Sequence, residues 1–243
     1  MKMKIKLPQV MGHRGAPSLA PENTLQGFEA AFNAGALWTE TDVCLLGDGT
    51  PVIFHDATLD RCTDHSGLVT DLAANDLHSI NANRQFPETE FHAIPTLADA
   101  LACFQRLGMG VNLELKRHDH VAPAALVDAV ASVLTEHNFP IEQILLSSFD
   151  FDVLRLAQQA LPELALAVIA EEASDQVFDV AQETGAQALN LWWETLAFEN
   201  VRRARAKGLS VNIWTANEPE KVRSMVAWGV EGIMSDCPQN FSF

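Results

Sequence analysis

The chain has 243 residues, of which 48% are hydrophobic and 20% are charged, so its composition is that of a globular protein and excludes a disordered or fibrous one. Sixteen Lys and Arg residues against 32 Asp and Glu residues give a formal net charge of −16 at pH 7. This acidity argues against nucleic acid or an anionic membrane as a partner, because both attract a positive field. A phosphate-bearing ligand would therefore need a local cation in its binding site.

The cysteines and the N-terminal segment indicate an intracellular protein. Cys44, Cys62, Cys103 and Cys237 stand far apart, which excludes a recognisable zinc knuckle and argues against a disulfide framework, so we expect reduced thiols. The basic N-terminus leads into no apolar core of signal-peptide length, and no run approaches the roughly 18 apolar residues of a membrane span. We therefore expect a cytoplasmic location without stable membrane association.

The first elements follow a strand–helix–strand order. A strand is predicted over 9–12, and apolar residues at helical spacing from Leu25 to Phe32 predict a helix over 23–34. Asn23 is the predicted N-cap of this helix and Gly35 its stop. A second strand is predicted over 38–43, followed by a Gly-Asp-Gly turn and an apolar run at 51–54.

The same alternation resumes after residue 94. Strands are predicted at 110–115, 143–147, 164–170, 187–191, 209–214 and 230–234, with helices at 96–107, 121–137, 150–160, 174–184, 195–207 and 218–228. With the first two, this makes eight strands, and each but the last precedes a helix, which implies parallel strands covered by helices. The pattern favours an α/β fold of the (β/α)8 TIM-barrel type, although an open doubly wound sheet also fits it.

Residues 57–94 do not follow the repeat. They are rich in Asp, Asn, Thr and His and have no steady hydrophobic period. A stretch of about 38 residues is too long for a usual barrel loop, so we expect an insertion over one mouth of the barrel. We therefore predict a single catalytic domain over 1–243, with 57–94 as a small inserted subdomain after the second strand.

Polar side chains collect where three predicted strands end. Glu40 and Asp42 lie two residues apart on the second strand, so both carboxylates point to one face, and Glu114 and Lys116 repeat this spacing on the third. His13 and Arg14 follow the first strand, and His55 closes the 51–54 run. Each pair taken alone also fits a solvated face or a structural ion pair. Their coincidence at one barrel rim, where barrel enzymes build their active sites, favours a functional site.

These residue types predict metal-assisted cleavage of a phosphate ester. Three converging carboxylates need a counter-charge, and oxygen ligands without cysteine favour a hard divalent cation, Mg²⁺ or Ca²⁺. Arg14 and Lys116 supply positive charge for an anionic ligand. His13 and His55 can each act as an acid or base near neutral pH.

At this point the chain resembles the glycerophosphodiester phosphodiesterase family over residues 10–238. The similar segments are HRG at 13–15, PENT at 21–24, ETDV at 40–43, DGTPVIFHD at 48–56, LDRCT at 59–63, IPTL at 94–97, NLELK at 112–116, SF at 148–149, VNIWT at 211–215 and GIMSD at 232–236. The resemblance implies a (β/α)8 barrel with a small insertion after the second strand. It also implies hydrolysis of deacylated phospholipid headgroups to sn-glycerol 3-phosphate and an alcohol.

The resemblance assigns roles to eight residues. It makes His13 and His55 the general acid and base, Arg14 and Lys116 the phosphate contacts, and Trp214 an aromatic residue near the glycerol. The implied metal ligands are Glu40, Asp42 and Glu114, for one divalent cation, Mg²⁺ or Ca²⁺. The family's proposed first step is attack on phosphorus by the substrate's own glycerol hydroxyl, which gives a cyclic phosphate that water opens.

Besides these roles, the sequence gives expectations for the partner, the oligomeric state, the alternative functions and the remaining polar residues. The partner is expected to be a small glycerophosphodiester, and the protein a monomer or homodimer. A phospholipase acting on intact or inositol lipids and a non-catalytic phosphate-binding barrel are the alternatives. Thr41 departs from the apolar residue often found between the two carboxylates, and we expect only local packing to differ. The remaining histidines are expected to lie on the surface or to be structural, except that His118 and His120 follow Lys116 closely enough to reach the rim. Asp236 either supports the site or forms a turn.

Overall fold

The computed structural model describes residue 5 and residues 7–241. Within this part of the chain there are nine β-strands: β1 Val10–His13, β2 Trp38–Leu45, β3 Pro51–Ile53, β4 Gly110–Leu115, β5 Ile144–Ser148, β6 Ala165–Ala170, β7 Ala188–Trp192, β8 Ser210–Trp214 and β9 Gly232–Ser235. The same residues contain seven α-helices: α1 Leu25–Asn33, α2 Leu97–Leu107, α3 Pro123–His137, α4 Phe151–Ala160, α5 Asp175–Thr184, α6 Phe198–Ala206 and α7 Pro219–Trp228.

Eight of these strands form a closed parallel barrel. The order around it is β1, β2, β4, β5, β6, β7, β8 and β9, and β9 pairs with β1 to complete the cylinder. The (β/α)8 prediction is therefore confirmed, and the open doubly wound alternative is wrong. The extra strand, β3, is antiparallel to the end of β2, with Val43 opposite Ile53 and Leu45 opposite Pro51.

The helices cover the outside of the barrel, and capping hydrogen bonds define where several of them begin. In α2, Thr96 accepts a hydrogen bond from the amide of Asp99 while the Asp99 carboxylate accepts from the amide of Thr96, so both free donors at the helix start are satisfied. The main apolar core lies between the strands and the helices. There the Phe28 ring of α1 meets the Phe104 ring of α2 at a centroid distance of 4.7 Å.

The predicted N-cap of the first helix is wrong by one residue. Thr24, not Asn23, accepts the capping hydrogen bond, from the amide of Gly27 at 3.0 Å. Asn23 instead has a positive φ of 54° and turns its side chain towards β2. The sequence signal for a cap was real, but two capping residue types stood side by side and tertiary contacts decided between them.

Residues 54–96 connect β3 to α2 with little regular structure. They contain two short 3-10 helices, Val69–Asp71 and Ala74–Ser79, and the isolated bridges Thr58 to Leu68 and Asn81 to Ala93. Their apolar side chains form a cluster with Cys44 and Val52, separate from the main core. None of the helices in the described residues is long and apolar enough to cross a membrane.

Candidate active site

The carboxyl end of the barrel brings the predicted site residues together. One cavity of about 140 Å³ is lined by seven of the eight: His13, Arg14, Glu40, His55, Glu114, Lys116 and Trp214. The eighth, Asp42, lies beside them and is 1% exposed. A larger groove of about 380 Å³ at the ends of α3 and α4 is lined mainly by apolar side chains and offers no comparable chemistry.

Strand register explains why the three carboxylates meet. Glu40 and Asp42 share a face of β2, and Glu114 of β4 is the register partner of Asp42. One carboxylate oxygen from each of the three lies within 4.8 Å of the others. All three side chains are buried, so solvent does little to screen the repulsion between their charges.

Burial and mutual repulsion give the three carboxyl groups unequal acidities. They raise the pKa of Glu40 well above its usual value and the pKa of Glu114 to about 7. Burial also opposes ionisation of Asp42, but Arg14, His55 and Lys116 outweigh it and lower the pKa of Asp42 to about 2. When all three carboxyl groups are ionised, their negative charge exceeds the positive charge of the neighbouring Arg14 and Lys116. This excess favours the binding of a metal ion.

Arg14 and Lys116 provide the fixed positive charge in the cavity. Arg14 Nε lies 3.2 Å from Asp42 Oδ2, and Lys116 Nζ lies 3.1 Å from Glu114 Oε1 and 3.6 Å from Asp42 Oδ1. These carboxylates outweigh the effect of burial and raise the pKa of both cations. Both side chains therefore stay charged at neutral pH.

Each cavity histidine is held through Nδ1 by an aspartate. His13 Nδ1 lies 2.6 Å from Asp236 Oδ1, and His55 Nδ1 lies 2.6 Å from Asp56 Oδ1. Asp236 is itself fixed, because it accepts a hydrogen bond from Asn217 Nδ2 at 2.8 Å. This arrangement leaves Nε2 as the ring nitrogen available for proton transfer.

His55 has an environment that favours its neutral form. Burial lowers the pKa of His55, and the nearby Arg14 and Lys116 lower it further. The charge of Asp42 and the hydrogen bond that His55 donates to Asp56 oppose this shift. A neutral imidazole with a free Nε2 is suited to accept a proton near neutral pH.

An ionic bridge links His55 to Arg14 through residue 61. Arg61 donates two hydrogen bonds to Glu22, at 2.6 and 2.8 Å, and two to Asp56, at 2.6 and 3.0 Å. Glu22 also accepts from Arg14 Nη1 at 3.0 Å. We call this set the Glu22–Arg61–Asp56 bridge; it runs from the segment after β3 to two groups of the cavity.

The departure at Thr41 also has a structural consequence. Thr41 Oγ1 donates to Asn23 Oδ1 at 2.7 Å, and Asn23 Nδ2 donates to Asp42 Oδ2 at 2.9 Å. Asn23 therefore holds one oxygen of Asp42. The other oxygen, Asp42 Oδ1, is buried and has no hydrogen-bond partner.

An aromatic wall closes one side of the cavity. The Trp214 ring meets the Phe149 ring edge to face, with 5.5 Å between centroids, and Trp214 Nε1 donates to the backbone oxygen of Asn190 at 3.1 Å. His118 lies half-buried near Lys116, and burial together with Lys116 lowers its pKa. His118 therefore lies near the site, in agreement with its position two residues after Lys116.

Several residues of this arrangement were not predicted from the sequence. Asp56 had a signal, because it directly follows His55. Of the two roles considered for Asp236, the contact with His13 agrees with support of the site. Glu22 and Arg61 fall within the segments that resemble the family, but nothing in the sequence pairs them. Asn112 and Asn190 line the cavity from the middle of apolar strands, a position where an amide is unexpected.

Comparison with known proteins agrees with the geometry. The model of the glycerophosphoryl diester phosphodiesterase family matches residues 13–240. A glycerophosphodiester phosphodiesterase of Bacillus altitudinis is 31% identical, with 96% of each chain covered. One of Caldanaerobacter subterraneus subsp. tengcongensis is 29% identical, with 95% of this chain and 94% of the relative covered.

A solved structure gives the same result. A phosphodiesterase of Oleispira antarctica, in complex with the product sn-glycerol-3-phosphate, superposes with a TM-score of 0.91 and is 33% identical. The match covers 96% of this chain and 94% of the other. By fold, by match over nearly the whole length and by the residues at the barrel mouth, the chain belongs to the glycerophosphoryl diester phosphodiesterase family of enzymes.

Proposed function

We propose that the protein hydrolyses glycerophosphodiesters, the deacylated headgroups of phospholipids, to sn-glycerol 3-phosphate and an alcohol. The observation that carries this proposal is the convergence of three buried carboxylates, two aspartate-held histidines and two cations on one cavity. The Oleispira phosphodiesterase, which superposes over nearly the whole chain, is in complex with sn-glycerol-3-phosphate. Its product supports the same substrate class here.

Glu40, Asp42 and Glu114 are the proposed ligands of one divalent cation, Mg²⁺ or Ca²⁺. One carboxylate oxygen of each lies within 4.8 Å of the others, and the buried Asp42 Oδ1 accepts no hydrogen bond among the described residues, so the residues fit a hard cation. When bound, such an ion neutralises charge on the phosphoryl oxygens. Oxygen ligands serve both metals, and the choice between them depends on cavity size.

His13 and His55 are the proposed proton carriers. Asp236 and Asp56 fix their Nδ1 atoms, so Nε2 of one ring takes the proton of the attacking hydroxyl and Nε2 of the other gives a proton to the leaving alcohol. The lowered pKa of His55 favours it as the base. Arg14 and Lys116 hold the phosphate, and Trp214 packs against the glycerol carbons.

Two further interpretations belong to this proposal. Residues 57–94 form an inserted subdomain beside the cavity, which the separate apolar cluster and the Glu22–Arg61–Asp56 bridge support. The cytoplasmic location and the monomeric or homodimeric state stay predictions.

The test is turnover of glycerophosphocholine and glycerophosphoethanolamine with Mg²⁺, with Ca²⁺ and with a chelator, coupled to detection of glycerol 3-phosphate. We expect activity only with a divalent ion. His13→Ala and His55→Ala should each lower kcat by roughly 10²–10⁴-fold, the usual contribution of an acid or base. His137→Ala, on the end of α3, is the control and should keep full activity. Absence of turnover with every divalent ion would refute the proposal, as would full activity of either cavity variant for its assigned role.

Turnover of lipid vesicles and binding of glycerol 3-phosphate distinguish the two alternatives from the proposed function. A phospholipase would act on intact or inositol lipids in vesicles and co-sediment with them. A phosphate-binding barrel would bind glycerol 3-phosphate without turning over any diester.

A further inference from the structure

A layer of buried polar side chains lies inside the barrel, in register with the carboxylates. It consists of Asn112 on β4, Ser147 on β5, Asn190 on β7 and Asn212 on β8, each 0% exposed. Asn112 is the register partner of Glu40, and Ser147 is the register partner of Glu114. Strands buried on both faces are normally apolar, so four fully buried polar residues on these strands need an explanation.

Several polar atoms of this layer have no hydrogen-bond partner among the described residues. They are Asn112 Nδ2 and Oδ1, Ser147 Oγ, Asn190 Nδ2 and Asn212 Oδ1. A buried polar group left unpaired destabilises the fold, and native proteins pair nearly all such groups with protein, water or ligand. Asn112 and Asn190 also line the catalytic cavity, so a molecule in that cavity can reach both.

The two asparagines offer complementary hydrogen-bonding groups. Asn212 Nδ2 donates to Asn190 Oδ1 at 2.8 Å, which occupies the oxygen of Asn190 and leaves its Nδ2 as a donor for the cavity. Asn112 presents a free acceptor, Oδ1, as well as a free donor. A hydroxyl group accepts from one partner and donates to another, so its hydrogen-bonding capacity matches the free donor of Asn190 and the free acceptor of Asn112.

The other walls of the cavity indicate what kind of molecule carries this hydroxyl. Trp214 and Phe149 form an aromatic wall, while the carboxylate cluster and its cations lie nearby. A ligand that satisfies all three surfaces has a phosphate, a short carbon chain and a hydroxyl beyond it. The glycerol half of a glycerophosphodiester has this arrangement.

We propose that Asn112 and Asn190 bind the terminal hydroxyl of the glycerol half and select substrates that carry it. This inference rests on the proposed function. A site built to hydrogen-bond a hydroxyl rejects an analogue that lacks it, because the analogue leaves buried polar groups unpaired. Glycerophosphocholine should therefore be preferred over 2-hydroxypropyl phosphocholine, which lacks only the terminal hydroxyl and retains the hydroxyl next to the phosphate ester.

The sharpest variant is Asn112→Leu. The Asn112 side chain makes no hydrogen bond within the described structure, so the nearly isosteric leucine should leave the melting temperature unchanged or raise it. We expect kcat/KM for glycerophosphocholine to fall by roughly 10–100-fold, the value of one lost hydrogen bond to a substrate hydroxyl. For 2-hydroxypropyl phosphocholine we expect a change of less than about threefold, so discrimination between the two substrates should collapse.

Asn190→Leu is the second variant, and Thr184→Val is the control. Asn190→Leu should lose the same discrimination, although it also leaves Asn212 Nδ2 without its acceptor. Thr184→Val replaces another buried polar side chain, on α5 and away from the cavity, and should leave discrimination intact. An equal loss on both substrates would show a structural role and overturn the proposal. Unchanged discrimination in Asn112→Leu and Asn190→Leu would do the same, with the layer then holding only water.

A binding arm separates this inference from the proposed function. Calorimetry compares sn-glycerol 3-phosphate with 1,2-propanediol 1-phosphate, in the presence of Mg²⁺ or Ca²⁺, for the unaltered protein and for Asn112→Leu. Tighter binding of sn-glycerol 3-phosphate that Asn112→Leu abolishes supports the asparagine site even if no diester is turned over. Equal affinity of the unaltered protein for the two ligands would overturn it even if the enzyme is active.

Discussion

Burial lowers the pKa of His55 more than its neighbours raise it, and the Asp56 carboxylate is one of the groups that oppose this shift. This carboxylate lies 2.6 Å from Nδ1, so its negative charge stabilises the imidazolium against burial and against two nearby cations. The same contact fixes which ring nitrogen faces the cavity. His55 therefore depends on a residue that does not itself line the cavity.

Replacing Asp56 by asparagine tests this dependence. The neutral amide no longer stabilises the charged ring, so the pKa of His55 falls further, and the limb of the pH–rate profile that reports His55 moves to lower pH. We expect a loss in kcat smaller than that of His55→Ala, because the ring remains. The pH dependence of kcat/KM and a histidine NMR titration measure the effect.

The matched control is Asp64→Asn. Asp64 contacts Nδ1 of the neighbouring His65 at 2.7 Å, in the same sequence arrangement but on exposed side chains outside the cavity. Its pH–rate profile should overlay that of the unaltered protein. An unshifted profile in Asp56→Asn would contradict the role given to the carboxylate.

At the scale of elements, the Glu22–Arg61–Asp56 bridge joins the segment after β3 to the turn between β1 and α1. That turn is tightly built: Gly15 has a φ of 92°, and a Cβ there would lie 2.6 Å from the backbone of Gly27. Arg14 sits in the same turn with a φ of 52°. The bridge therefore connects the irregular segment after β3 to a turn whose shape is fixed by backbone contacts.

Arg61→Met should separate catalysis from stability. The methionine keeps much of the aliphatic stem but removes four hydrogen bonds, so Asp56 and Glu22 lose the cation that orients them. We expect kcat to fall by roughly 10-fold, since small displacements of reacting groups are costly. Because Arg61 is partly exposed, the unfolding free energy should fall by only about 1 kcal/mol.

Arg155→Met is the control for removal of an arginine with several carboxylate partners. Arg155 pairs with Asp152 and Glu183 on the outer helices α4 and α5, far from the cavity. It should leave kcat unchanged. If Arg61→Met and Arg155→Met are equally active, the bridge does not position the site.

The whole molecule carries a net charge of −16, and its most buried acid lies inside the barrel. A divalent cation that binds the folded cluster, and not the unfolded chain, stabilises the fold by about 2.7 kcal/mol at a concentration of 100 Kd. We therefore expect Mg²⁺ or Ca²⁺ to raise the melting temperature and a chelator to reverse the rise. Asp42→Asn should abolish the response, whereas Asp128→Asn, on the outside of α3, should retain it. An ion-independent melting temperature would argue against the metal site.

The sequence alone predicts much of this molecule, but for definable reasons not all of it. Strand and helix periods predicted all eight barrel strands, and parallel strands bring their carboxyl ends to one rim, so Glu40, Asp42 and Glu114 were placed together correctly. The contacts of Asp236 with His13 and of Arg61 with Glu22 depend on side-chain directions across long sequence separations. No local pattern encodes these directions. Asn112 and Asn190 were missed because an amide in a buried strand has no pattern of its own.

The contact between His13 and Asp236 joins residues 223 positions apart, at the ends of the first and last barrel strands. The ring of His13 is therefore oriented only after β9 has docked beside β1. During refolding, the return of enzymatic turnover should lag behind the recovery of helical circular dichroism. The time at which activity returns then reports when the barrel closes. A nascent chain on the ribosome should likewise stay inert until Asp236 has emerged.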